Sequence, residues 1–140
     1  MSVMQQLKKI LLLGAFVLVQ SSPAFAVSTE SVTPHVNDMN RLASELRATQ
    51  TAQQAQALAA QLDQRLAQIK VNHAQMTASF PAFEKAKAAK TMTPQMRMAA
   101  MTVNNLNDNV LPAIEKEMNR VEALYPPIRA EFDILRNLNQ

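Results

Sequence analysis

The sequence predicts an all-α protein, an antiparallel helical bundle or hairpin with two long helices and two short terminal ones. Three observations predict it. The only glycine, Gly14, falls in an N-terminal segment that reads as an export leader, so nothing after that segment contains glycine. Sheet proteins generally draw on glycine for hairpin turns and bulges. Alanine, glutamine, leucine, methionine, glutamate and arginine dominate the rest, and all are good helix formers. Apolar residues then recur at alternating spacings of three and four, the period of a helix face packed on a neighbour.

The leader is residues 1–26, "MSVMQQLKKILLLGAFVLVQSSPAFA". Lys8 and Lys9 precede an apolar run, Ile10 to Val19, and Ala24 and Ala26 supply the small-residue pattern that a signal peptidase cleaves. The run is too short for a mature membrane span, which needs roughly 20 apolar residues. The chain has no cysteine, so no thiol is present for a lipid anchor. The expected product is a single helical domain over 27–140, periplasmic or secreted in a bacterium, with no membrane span after cleavage. Lys8 and Lys9 are two of the 14 basic residues, so the mature charge against 11 acidic residues is close to zero. Such a balance gives no electrostatic reason to bind nucleic acid or an anionic membrane.

Thr33-Pro34 reads as an N-cap with proline at the first helical position, followed by the stripe Met39, Leu42 and Leu46. His35, in that first turn, is expected to be exposed. Thr51 with Gln54 forms a capping box. From there Ala55, Leu58, Leu62, Leu66, Ile69, His73, Met76 and Phe80 fall within about 40° of one direction. The two stripes would lie about 160° apart on one straight helix, so the chain is expected to break at 48–51. Pro81 ends or kinks this long helix, of roughly 52–79. Residues 84–92 are read as a solvated stretch, helical and then a loop. Thr93-Pro94 starts the second long helix, 94–124, with the stripe Met96, Ala100, Val103, Leu106, Val110, Ile114, Met118, Val121 and Tyr125. Pro112 should kink it or loosen one turn. "LYPP" at 124–127 stops it, and a last short helix carries Ile128, Phe132, Leu135 and Leu138.

Parts for catalysis are lacking in the sequence. It has no cysteine nucleophile, no Gly-rich phosphate loop and no H-E-x-x-H zinc motif. Covalent haem attachment has no motif, and axial ligation by Met39 and His73 would need room among the small residues of the stripe. Glu115 and Glu122, one heptad apart, read as solvated surface charges. No enzyme activity and no cofactor are expected.

The residues that call for an explanation are methionines. "MTPQMRMAAM", residues 92–101, has four in ten positions. Met96 belongs to the core stripe and Met92 precedes the cap. Met98 and Met101 lie about 200° and 140° away from Met96, so packing on a single face does not account for them. Either a second neighbour, such as a terminal helix, buries them or they form an exposed soft patch. Methionine suits recognition of varied apolar segments. The leading expectation is therefore a non-enzymatic protein that binds another envelope protein or an unfolded client through Met98, Met101 and Met92, with a homodimer also possible. Thioethers also suit copper(I) and silver(I), and the candidate ligands are Met92, Met96, Met98, Met101, His73 and Met76. A third expectation is an accessory subunit of a secretion or conjugation machine. His73 is the one polar side chain in the long stripe, and the simplest role for it is a core or boundary histidine with a hydrogen-bond partner.

"MTPQMR" (92–97) resembles the helix-opening motif Leu-Thr-x-x-Gln of the Spy/CpxP group of periplasmic stress chaperones. It covers six residues. Met stands at 92 for leucine and at 96 for glutamine, and the group's second motif copy is missing.

Overall fold

The computed structural model describes residues 29–139, and every regular element in them is helical. The expected leader, residues 1–26, and its expected cleavage site lie outside the described residues. The elements are α1 (Thr29–Ala48), α2 (Ala52–Ala78), α3 (Phe80–Ala88), α4 (Pro94–Asn105), a π turn (Leu106–Val110), α5 (Leu111–Leu124), a 3₁₀ turn (Pro126–Ile128) and α6 (Arg129–Leu138). Helix α1 packs against α2, α4, the π turn and α5, α2 also touches α5, and α6 packs against α2. No helix among them is long and apolar enough to cross a membrane.

The period-based expectations hold for α2, whose stripe from Ala55 to Met76 is buried except at half-buried His73. They hold for Met96, Val103, Leu106, Ile114, Met118 and Val121, and for Ile128, Phe132 and Leu135. The break falls where the capping chemistry sits. Thr51 caps α2: its hydroxyl accepts from the Gln54 N–H, and the Gln54 side chain accepts from the Thr51 N–H, both at 3.1 Å. Pro81 sits in the first turn of α3, just past the bend at Ser79 that ends α2. Thr93 caps α4 through a 3.1 Å bond from the Met96 N–H.

Pro112 has the predicted effect through a specific device. Its ring would clash with the carbonyl of residue 108, and it has no N–H to donate there. The helix widens just before it into the π turn, in which the Leu111 N–H reaches back five residues to the Leu106 carbonyl. The extra residue keeps 94–124 in one helical run, with the stripe still facing the core.

The first helix differs from its expectation. It is 20 residues long, it begins at Thr29, and Pro34 lies inside it. Proline at 34 removes one hydrogen bond near the helix start. The added turn brings Val32 to full burial, and burial of a valine contributes about 1.5–3 kcal/mol, enough to offset one lost bond of about 1 kcal/mol.

Without glycine, the helix ends are closed by side chains and by one strained residue. At the end of α1, the Leu46 carbonyl accepts from the Thr49 N–H at 3.1 Å and from Arg120 Nη2 at 2.8 Å. Thr49 Oγ1 donates to the Glu45 carbonyl and Gln50 Nε2 donates to the Arg47 carbonyl. At the end of α3, Lys90 adopts φ 58°, the left-handed conformation normally given to glycine. There the Thr91 N–H bonds the Ala86 carbonyl and the Lys90 N–H bonds the Lys87 carbonyl, the paired bonds of a Schellman cap. A residue with a Cβ carries a penalty of about 1–2 kcal/mol in this conformation. Lys90→Gly should therefore raise unfolding stability by about 1 kcal/mol, read as a higher urea midpoint with an unchanged denaturant slope.

Candidate functional site

The methionine-rich segment splits into two environments. Met96 is in the core and Met92 is half-buried against it. Met98 and Met101 are 59% and 70% exposed. Three residues apart on α4, they share a helix face. The last helix, which could have covered them, docks along α2 instead. Met96 is thus buried while Met98 and Met101 are open to solvent, and Met92 is partly covered by the core.

A second site lies between α1 and α2, and it corrects the reading of His35. That side chain is fully buried, not exposed. The stripe on α1 runs back through Pro34, so Val32, His35, Val36 and Met39 continue the three-four spacing of Leu42 and Leu46 into the interface. His35 meets His73 edge to face, with ring centroids 4.9 Å apart and planes at 71°. Neither ring nitrogen of His35 has a hydrogen-bond partner, nor does Nε2 of His73. His73 thus sits at the core boundary beside the His35 ring, with no hydrogen-bond partner at its buried Nε2.

The electrostatics follow from the burial. Desolvation, with a smaller contribution from the charge of His73, pushes the His35 pKa from 6.5 down to about 3. Desolvation also lowers His73. Near neutral pH His35 is therefore uncharged and presents a nitrogen lone pair, the form that ligates metals. Around the pair, Asp38 accepts from Asn72 Nδ2 at 2.8 Å, so this carboxylate is engaged on the rim. One turn from each histidine lies a buried methionine, Met39 on α1 and Met76 on α2. Among the described residues, no group of three or more His, Cys, Asp or Glu side chains could hold a metal ion, so any ligand set here must recruit thioethers.

A third cluster is structural. Glu115 and Glu122 are not free surface charges: both pair with Arg136 of α6, at 3.2 and 3.1 Å. Arg136 also bonds Asp133 and Asn119. Desolvation works against its charge, but hydrogen bonds to Glu122 and Asp133 outweigh it and raise its pKa. The arrangement clips α6 to α5 and presents no open reacting centre. No protein-family model, curated protein or solved structure matches the chain.

Proposed function

We propose that this is a small exported bacterial protein without catalytic chemistry, an antiparallel helical bundle that binds another envelope protein or an unfolded client. The exposure of Met98 and Met101 on one face of α4 carries this reading. Two flexible thioether side chains held in water gain free energy when an apolar segment covers them, at roughly 25 cal/mol per Å² removed from solvent. Their three rotatable bonds let one surface fit many partners. The leader-like segment 1–26 supports the envelope as the place of action.

The test uses paired substitutions at Met98 and Met101, read by suppression of aggregation of a chemically denatured client protein. Leucine at both positions should preserve suppression, because it keeps apolar area and volume. Aspartate at both should abolish it while changing stability by no more than about 0.5 kcal/mol, since both sites are exposed. Full suppression by the aspartate variant would overturn the proposal.

A further inference from the structure

Two pairs of hydrogen-bonded residues fix the register between α1 and α2. Asn72 stands opposite Asp38 and Arg65 opposite Glu45. The interval is seven residues on each helix and the numbering runs in opposite senses, so the helices are antiparallel without slip. The same count sets Met76 opposite position 34, His73 opposite position 37 and Met39 opposite position 71. Met76, His35, His73 and Met39 thus occupy successive levels over about 8 Å of the interface, given a rise of about 1.5 Å per residue. Their spacings, four residues on α1 and three on α2, place each histidine and its methionine on one helix face. His35, Met39 and Met76 are at most 1% exposed, and His73 is half-buried beside them.

We propose that His35, His73, Met39 and Met76 form a binding site for a soft monovalent metal ion, copper(I), inside the α1–α2 interface. Fully buried imidazole nitrogens almost always have partners, and the unpartnered ones here point to a ligand. The separation of the rings fits. Two imidazoles on one tetrahedral ion, each at about 2.0–2.1 Å, hold their centroids about 5 Å apart, against 4.9 Å here, so binding requires the edge-to-face rings to turn in place and not to move apart. The donor set selects the ion. Neutral nitrogen and thioether sulfur are soft donors that favour copper(I), whereas magnesium and calcium require oxygen. None of the four ligands carries a negative charge, so a divalent ion would be buried with twice the uncompensated charge. The half-exposed edge of His73 gives an entry path. This site is independent of the surface methionines, which lie on α4.

The purified protein should be titrated with silver(I), a redox-inert probe, and with copper(I) held by a competing chelator under anaerobic conditions. One equivalent of each should bind, and X-ray absorption should show nitrogen and sulfur ligands together. His35→Leu should weaken affinity at least 100-fold, and Met39→Leu with Met76→Leu at least tenfold. The methionine pair conserves volume, so helicity by circular dichroism checks that the fold survives. Leucine at Met98 and Met101 should leave affinity unchanged. The proposal is overturned by absence of one-to-one binding, or by zinc(II) binding as tightly as silver(I). It is equally overturned if binding survives His35→Leu and is lost with the Met98 and Met101 variants.

Discussion

Acidification is expected to destabilise the fold by about 4 kcal/mol between pH 6.5 and pH 3 through His35 alone. The folded state holds this imidazole at about 3, against 6.5 for the free side chain. Throughout that interval the unfolded chain binds the extra proton, so stability falls as pH falls and stops falling from this cause below the folded pKa. His73 shifts in the same direction and adds to the loss. The upper part of the interval, pH 6.5 to 5, lies above the usual carboxylate range, so there the histidines dominate the slope. Over it His35 should remove about 2 kcal/mol, a large share of the 5–15 kcal/mol that holds a typical domain together. Urea midpoints measured at half-unit steps should fall steadily for the parent protein. His35→Leu should show a markedly flatter profile, because leucine has no proton to gain. Parallel profiles for the two proteins would place the buried pair in a hydrated site and overturn the account. Because the folded protein keeps His35 neutral down to about pH 3, silver(I) should stay bound as the pH falls from 6.5 to 5 and should protect the fold over that range.

The long elements were legible because their signals are local. The stripe from Ala55 to Phe80, the Thr51 and Thr93 caps and the Pro112 interruption each depend on residues within one or two turns. The histidine pair was not, because it is made by two helices. His35 stands next to a proline that resembled a helix start, and an imidazole alone does not announce burial. One signal could have found it: Val32, Val36 and Met39 extend the apolar spacing of α1 through residue 35. Glu115 and Glu122 share this limit. A heptad spacing of carboxylates looks like a solvated face until Arg136 arrives from another helix to bind both. The left-handed Lys90 has no sequence mark at all, since the glycine that would have signalled it is replaced by a lysine. The exposure of Met98 and Met101 lay one step beyond the period, which put them off the core stripe and left open whether another helix covered them.

Phe132→Ala is expected to cost about 3–5 kcal/mol and to release α6 while leaving α1 and α2 folded. Phe132 is fully buried, and with Leu135 it forms the apolar face of α6, continued by Ile128 at the end of the preceding 3₁₀ turn. That helix has 10 residues and no side-chain N-cap bond, and a helix of fewer than about 12–15 residues is marginal in water without tertiary packing. Its stability therefore comes from the buried face and from Arg136, whose guanidinium carbon lies 6.0 Å from the Phe132 ring centroid while it binds Glu115 and Glu122. Removing the ring leaves a cavity and takes away the surface against which the guanidinium is held. The carboxylate pairs that remain are part-exposed, and such pairs contribute only about 0.2–1 kcal/mol each, too little to hold the helix. Amide hydrogen exchange should then show loss of protection confined to residues 129–138, at denaturant concentrations where α1 and α2 remain protected. Uniform loss across all helices would mean that α6 folds as one unit with the rest. A cost below about 1 kcal/mol would mean that the site collapses around the smaller side chain.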